Sequence, residues 1–306
     1  MRKIGLLGLA LVCSMVIFTG CGGQKQGADN AETSTVEVNY DTLMKDLEES
    51  NKNVSIIDKY GKVCYEAKDI VKDGTEYSWS YYQDKDRIVS DDYYGYCIVE
   101  GNEAYGTSYE INNYFRTLFV GDSYELFLTE YKMESIYQYS ENEELTSKQE
   151  KDGVIYLETK ISQEPMEGYY VGYGYEQDEV ECVVTEYMVD ADTLEILELK
   201  AYFVVGEEKK LYNVINRNKE CEEYVPDKEL EDKIFGSDTR TVTVIVDAGT
   251  ADEKKYSQTC GKGCAVQIYF SLEEFENKFY ANKECTEVAE MDLTTDSISY
   301  LKRIEK

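Results

Sequence analysis

The pattern of apolar and polar positions changes along the chain. Residues 4–18 form a nearly continuous apolar run behind Arg2 and Lys3. Most of the later chain alternates between apolar and polar positions in short runs bounded by turn residues, which favours antiparallel strands. Two stretches instead repeat apolar residues at i, i+3, i+4 and i+7, which predicts helices. These stripes are Tyr40, Leu43, Met44 and Leu47, and then Tyr124, Phe127, Leu128 and Tyr131.

The alternating runs predict a long meander of strands. Between the two helices the runs are 54–60, 62–67, 77–81, 87–90, 93–99 and 103–107. After the second helix they are 136–140, 145–150, 154–162, 169–176, 180–189, 194–205 and 210–217, and a short helix follows around Leu230 and Ile234. Five further runs, 241–247, 255–259, 264–270, 279–281 and 297–300, follow in residues 238–306. The 29 tyrosines of the chain also favour sheet.

The apolar run at the N-terminus predicts a secretory signal over residues 1–20. It is too short and too rich in glycine for a spanning helix, which needs about 20 apolar residues. Thr19-Gly20-Cys21 resembles the lipobox of bacterial lipoproteins, although Phe18 stands where leucine is usual. The resemblance implies that Cys21 is diacylated and begins the mature chain, with residues 21–37 as a flexible tether. The alternatives are an ordinary cleaved signal and an uncleaved anchor.

Charge and composition narrow the partners and the chemistry. The chain carries 62 acidic and 32 basic residues, a net charge of −30, which opposes binding to nucleic acid and to anionic membrane surfaces. It contains no histidine, which excludes Ser-His-Asp and Cys-His catalysis and histidine-ligated zinc. We therefore predict no catalytic residues, no metal site and no cofactor.

The cysteines leave their redox state open. Besides Cys13 in the signal and Cys21, the chain has Cys64, Cys97, Cys182, Cys221, Cys260, Cys264 and Cys285. An exported domain can form disulfides, but an odd number leaves at least one thiol unpaired. Cys260 and Cys264 bracket a three-residue turn around Lys262. They could form a structural disulfide, remain free thiols or carry thiol chemistry.

The order of elements over residues 38–236 resembles the LolA- and LppX-like lipoprotein-carrier fold. The closing part of the resemblance is carried by Val189-Asp190-Ala191-Asp192-Thr193-Leu194 and by Ile234-Phe235-Gly236. The resemblance implies a mainly β (α+β) domain, a curved antiparallel sheet (a half-barrel) with helices on its concave face. In that family the sheet half-closes around apolar ligands.

Residues 238–306 resemble a single β-grasp-like repeat of bacterial surface proteins, of the Listeria–Bacteroides or internalin B-repeat type. The likeness is carried by Thr241-Val242-Thr243-Val244, Lys262-Gly263, Tyr280 with Cys285-Thr286, and Thr295-Asp296. It implies a small β domain that acts as a spacer or contacts a protein.

Six aromatic or apolar residues are candidates for ligand binding. Tyr77, Trp79 and Tyr81 share one face of a strand, where they could line a cavity or belong to an ordinary core. Tyr173 lies in a predicted strand whose mid-strand glycines could mark a close approach by a ligand or simply a bend. Phe127 and Leu128 lie on a helix that could form a lid.

These features predict a lipoprotein at the extracytoplasmic face of the cell membrane that binds an apolar or amphipathic ligand without catalysis. Its membrane contact is the lipid at Cys21. The alternative is a surface-interaction protein that contacts cell-wall glycan or a protein partner.

Overall fold

The computed structural model describes residues 40–92, 95–108, 113–138, 140–162, 169–225, 227–289 and 296–304. The predicted signal, Cys21 and the tether over 21–37 lie outside these residues. No helix in the described part of the chain is both long and apolar enough to cross a membrane.

Five helices and sixteen strands are described. The helices are α1 (Tyr40–Ser50), α2 (Asn53–Tyr60), α3 (Ser123–Tyr131), α4 (Tyr169–Gly172) and α5 (Lys228–Ile234). The first strands are β1 (Lys62–Ile70), β2 (Glu76–Asp84), β3 (Arg87–Asp92), β4 (Gly95–Glu100), β5 (Glu103–Ser108), β6 (Asn113–Phe119), β7 (Glu143–Lys151) and β8 (Val154–Ser162). The others are β9 (Cys182–Asp190), β10 (Ile196–Val205), β11 (Glu208–Arg217), β12 (Thr239–Val246), β13 (Lys254–Gly261), β14 (Cys264–Tyr269), β15 (Phe275–Tyr280) and β16 (Ser297–Arg303).

The fold is mainly β, with large curved sheets and few helices, which confirms the predicted fold class. The described chain divides into two compact units. Unit 1 contains Tyr81–Lys132 and Glu222–Lys306, and unit 2 contains residues 40–80 and Met133–Cys221. This division cuts across the domains predicted over 38–236 and 238–306.

Unit 2 is built on an antiparallel sheet in the order β1-β11-β10-β9-β8-β7. Residues that stand opposite each other on neighbouring strands share a face of the sheet. One such row is buried throughout, and this side of the sheet is here called the covered face. The row consists of Ala67, Ile215, Leu199, Tyr187 and Leu157.

Helices α1 and α2 pack on the covered face. Leu43, Met44 and Leu47 of α1 are buried, which confirms the helix predicted from this stripe. The Tyr65 hydroxyl of β1 donates a hydrogen bond of 2.6 Å to the Asn53 side chain at the start of α2. The hydrogen bond from Tyr65 therefore connects α2 directly to β1.

The strand predicted over 54–60 is wrong, because this segment is helix α2. Ile56 and Ile57 are buried together, a spacing that also fits one face of a helix. Gly61 ends the helix at φ +81°, and its N–H donates to the Ile57 carbonyl at 2.7 Å. Glycine adopts this conformation at little cost, so the local sequence supplies the stop.

Two other predicted strands also differ from the structure. Residues 169–176 form α4 and a following turn instead of a strand, and the described residues of 136–140 are not in a strand. Within the turn, the N–H groups of Tyr173 and Tyr175 both donate to the Tyr170 carbonyl, at 3.0 and 3.1 Å. Gly174 has φ +79°, a conformation outside the β region.

Unit 1 contains two sheets. The first has the order β14-β6-β5-β4-β3, with β14 parallel to β6, and the second has the order β13-β12-β16-β15. Both sheets and α5 contribute to one core, for example through Ile98, Val242 and Ile234. Strand β14, predicted as part of a separate C-terminal module, therefore completes a sheet begun by residues 81–132.

An ion pair and a disulfide hold elements of unit 2 together. Glu195 and Arg217 have only 3% of each side chain exposed and are 2.5 Å apart, Oε2 to Nη1. Lys59 and Tyr60 of α2 add hydrogen bonds of 2.9 and 2.8 Å to Glu195 Oε1. Cys64 and Cys221 form a disulfide that links β1 to the segment after β11.

We predict that Glu195→Gln destabilises the protein at neutral pH. Burial alone would raise the pKa of Glu195, but its bonds to Lys59 and Tyr60 and the charge of Arg217 lower it to about 2. A carboxylate with a lowered pKa stabilises the fold above its unfolded value and loses that contribution as the pH falls. We expect a loss of about 3 kcal/mol in unfolding free energy at pH 7, measured by urea titration.

The difference between the two proteins should shrink as the pH falls from about 4.5 toward 2. Glu198→Gln is the matched control, because Glu198 forms a partly exposed pair with Lys200. Its effect should stay below about 1 kcal/mol. An equal loss in both variants would contradict the assigned importance of the buried pair.

Candidate functional site

A half-buried carboxylate, Asp69, lies on the covered face of unit 2 near the end of β1. The register places Asp69 opposite Asn213 of β11, two positions beyond the buried pair Ala67 and Ile215. Asn213 Nδ2 donates a hydrogen bond of 2.7 Å to Asp69 Oδ1. The Tyr173 hydroxyl donates to the same oxygen at 3.1 Å, and the Trp79 side chain is a third hydrogen-bond partner.

The hydrogen bonds that Asp69 accepts come from uncharged side chains. No lysine or arginine among the described residues forms an ion pair with it, and its hydrogen-bond partners are an amide, a phenol and an indole. Burial raises the pKa of Asp69, and the hydrogen bonds from Asn213, Tyr173 and Trp79 oppose that rise. Asp69 is therefore a hydrogen-bonded carboxyl group without an ion-pair partner in the described part of the chain.

Aromatic rings surround this carboxylate on the same face. Phe203 of β10 and Tyr212 of β11 stack in parallel, with ring centroids 3.8 Å apart. Tyr173 meets both rings edge-on, at 5.6 and 5.0 Å. Tyr170 and Tyr175 also contact Phe203, each at 5.2 Å.

A β-bulge brings Tyr212 into this group. The register between β10 and β11 shifts so that Ala201 pairs with Asn213 and Tyr202 pairs with Leu211, which leaves Tyr212 as the extra residue. A bulge redirects a side chain that regular pairing would place elsewhere. Here it lets Tyr212 stack on Phe203 while its neighbour Asn213 reaches Asp69.

Lys72 holds the turn after α4 in place through its backbone and its side chain. The Lys72 N–H donates to the Tyr173 carbonyl at 2.9 Å. The Lys72 ammonium pairs with Glu179 at 2.5 Å and lies 5.2 Å from the centre of the Tyr175 ring. These contacts fix Tyr173 over Asp69 from a segment that is otherwise outside the sheet.

Two members of the aromatic group are partly exposed to solvent. Tyr173 and Trp79 are half-buried, whereas Tyr170 is fully buried. Val171, next to them in the chain, is 65% exposed. We call Asp69, Trp79, Tyr173, Phe203, Tyr212 and Asn213 the Asp69 cluster.

The six predicted ligand residues are distributed over both units. Trp79 and Tyr173 meet at Asp69, and Tyr77 shares with Trp79 the half-buried side of β2. Tyr81 belongs to unit 1, is only 4% exposed, and donates a hydrogen bond of 2.9 Å to Gln83.

Phe127 and Leu128 are also in unit 1, on α3. The Phe127 ring stacks on Tyr131 and meets Phe119 and Tyr269 edge-on. Ligand contact by any of the six residues stays a prediction.

Sequence reasoning missed Asp69, Asn213, Phe203 and Tyr212. Asp69 falls just beyond the strand predicted over 62–67, and the other three occur in ordinary strand runs. Only the pairing register and the bulge bring them together, and neither has a signal in the local sequence. The described residues contain no group of three or more His, Cys, Asp or Glu side chains able to hold a metal ion.

No protein-family model and no curated protein matches the chain. Among solved structures, a LolA superfamily protein from Nitrosomonas europaea aligns with 62% of this chain and 96% of its own length. The identity is 7% and the TM-score is 0.22. A likeness this weak carries no argument about the function of this chain.

We predict that the fluorescence of Trp79 reports the ionisation of Asp69. Trp79 is the only tryptophan of the chain, and its side chain is hydrogen-bonded to Asp69. Burial raises the pKa of Asp69, so an acid titration should show an emission change with a midpoint above the ordinary value of 3.8.

Asp69→Asn should abolish that transition. Glu76→Gln, which removes an exposed carboxylate on the same strand as Trp79, should leave it unchanged. Persistence of the transition in Asp69→Asn would show that another group is being observed.

Proposed function

We propose that the protein is an extracytoplasmic lipoprotein that binds an amphipathic ligand at the Asp69 cluster. The observation that carries this proposal is a half-buried carboxylate that forms no ion pair among the described residues and is hydrogen-bonded by the half-buried side chains of Trp79 and Tyr173. A structural carboxylate of this kind gains most from a cation that arrives from outside the protein.

The chemistry of the cluster favours a positively charged head group. Aromatic faces attract an ammonium ion, and a nearby carboxylate adds a direct charge interaction. Anionic head groups are disfavoured both by Asp69 and by the net charge of −30. The half-buried rings of Trp79 and Tyr173 and the exposed Val171 offer apolar surface for the rest of the ligand.

Anchoring is a separate part of the proposal. The apolar run over 4–18 and the lipobox-like Thr19-Gly20-Cys21 support export and lipidation at Cys21. Two or more acyl chains together hold a protein stably at a membrane, whereas one chain binds only weakly. The binding unit would then remain at the membrane surface, where amphipathic molecules are concentrated.

We predict that a cationic amphiphile binds more tightly than neutral or anionic amphiphiles of equal chain length. The probes are dodecyltrimethylammonium, a dodecyl ether of ethylene glycol and dodecyl sulfate, each kept below its micelle concentration. The mature chain with Cys21→Ser is titrated and Trp79 fluorescence is recorded. Asp69→Asn should weaken binding of the cation about tenfold, because the charge interaction is lost.

Matched variants separate charge from apolar contact. Tyr173→Ala should weaken all probes that bind, whereas Glu76→Gln should change none. Equal binding of the neutral and cationic probes would leave amphiphile binding intact but remove the role of Asp69. No binding of any probe would defeat the proposal and favour the surface-interaction alternative.

We also predict that Cys21→Ala releases the protein from the membrane. In wild-type cells we expect the protein in the membrane fraction, with a mass increase at the N-terminal cysteine. In the variant we expect loss of that mass and recovery in the soluble or extracellular fraction. Retention with an intact residue 1–20 segment would instead indicate an uncleaved anchor.

A further inference from the structure

Arg240 and Cys260 form a buried pair in unit 1. They stand directly opposite each other on β12 and β13, so their side chains share a face. Arg240 is 8% exposed and Cys260 is 1% exposed. Arg240 Nε donates a hydrogen bond to Cys260 Sγ over 3.4 Å.

No carboxylate in the described part of the chain pairs with Arg240. Its Nη2 is buried and makes no hydrogen bond. A buried guanidinium without an anion is strongly unfavourable, so the site selects a partner that can become negative. Cys260 Sγ is the atom placed to do so.

Cys264 completes the arrangement from the start of β14. It is fully buried, and its side chain is within hydrogen-bonding distance of Cys260. The bond from Cys264, together with the charges of Arg240 and Arg116, lowers the pKa of Cys260, while the same bond raises the pKa of Cys264. Cys260 therefore loses its proton more readily than Cys264.

Two other polar groups, the Cys264 carbonyl and the Arg116 side chain, also affect Cys260. The protonated Cys260 thiol can donate a hydrogen bond to the Cys264 carbonyl oxygen, which is 3.5 Å from Sγ. This bond opposes loss of the proton from Cys260. Arg116 of β6 forms an ion pair with Glu103 and donates a hydrogen bond to the Thr259 carbonyl. Arg240 forms no ion pair among the described residues, and its Nε–H is directed at Cys260 Sγ.

The remaining buried cysteines behave differently. Burial raises the pKa of Cys97 to about 12, and burial also raises the pKa of Cys182. No arginine in the described part of the chain donates a hydrogen bond to either sulfur. Cys260 differs from both because Cys264 and Arg240 form hydrogen bonds with its sulfur.

We propose that Cys260 and Cys264 form a reversible dithiol–disulfide site that exchanges with small-molecule disulfides. The Cys260 thiolate attacks one sulfur of the external disulfide, which forms a mixed disulfide and releases one thiolate. Cys264 then loses its proton and attacks Cys260 Sγ, which closes the Cys260–Cys264 bond and releases the second thiolate. The two electrons lost by the protein reduce the external disulfide to two thiols.

The same arginine sets the direction of this equilibrium. Oxidation removes the anion and leaves Arg240 buried without a partner, so the dithiol form is favoured over the disulfide. Both sulfurs are buried, but they flank the exposed residues Lys262 and Gly263 of the turn between β13 and β14. Reaction therefore requires local opening of this turn.

The test uses the full-length protein extracted from membranes and equilibrated with mixtures of oxidised and reduced glutathione. Free thiols are then alkylated, and peptide mass spectrometry locates each bond. We expect a Cys260–Cys264 disulfide that forms and disappears with the glutathione ratio, while Cys64–Cys221 stays intact. Absence of the Cys260–Cys264 bond at every ratio overturns the proposal.

Two variants test the mechanism. Arg240→Met should slow alkylation of Cys260 at neutral pH about tenfold and move its pH profile upward, because the thiolate is no longer stabilised. Cys97→Ser, a matched change at another buried thiol, should leave both unchanged. An identical pH profile in Arg240→Met overturns the assigned role of the arginine.

Cys264→Ala provides the second route if Arg240→Met does not fold. Without the resolving thiol, the reaction with oxidised glutathione should stop at Cys260 and add one glutathionyl group. Failure of this adduct to accumulate overturns the proposed order of attack.

Discussion

The ion pair between Glu195 and Arg217 is the interaction on which unit 2 depends most. Glu195 immediately precedes β10, Arg217 ends β11, and Lys59 and Tyr60 bring the end of α2 to the same carboxylate. Both partners of the pair are almost completely buried, so neither can exchange the other for water. The Cys64–Cys221 disulfide joins β1 to the chain just beyond β11. A charge interaction and a covalent bond thus fix the same end of the sheet.

The covered face holds other acidic groups that are satisfied differently. Glu143 is 4% exposed and accepts hydrogen bonds from the Tyr137 and Tyr187 hydroxyls, at 3.1 and 3.0 Å. Burial raises the pKa of Glu143, as it raises the pKa of Asp69. The pKa of Glu195 is instead lowered by Lys59, Tyr60 and Arg217. Glu143 is enclosed, whereas the Trp79 and Tyr173 side chains beside Asp69 are half-buried. This difference in access supports ligand binding at Asp69 and not at Glu143.

Unit 1 presents the opposite imbalance at Arg240. A buried cation there faces a thiol instead of a carboxylate, and an unsatisfied Nη2 remains beside it. Both proposed sites therefore contain an ionisable side chain, Asp69 or Arg240, that the protein buries without full compensation. The two proposals are independent, because they involve different residues in different units and are read out by different measurements.

Local sequence patterns were enough to predict the mainly β class and helices α1, α3 and α5. They also predicted turns such as that at Asp190, whose Oδ1 accepts a hydrogen bond from the Thr193 N–H at 3.1 Å. These features follow from local periodicity and turn chemistry. The strands predicted at α2 and at 169–176 were wrong, because a short apolar run fits either a helix or a strand. Packing against the rest of the protein decides which of the two forms. Only the tertiary structure placed Asp69 opposite Asn213, turned Tyr212 inward and aligned Arg240 with Cys260. Strand register and bulges depend on partners distant in sequence, so no local pattern encodes them.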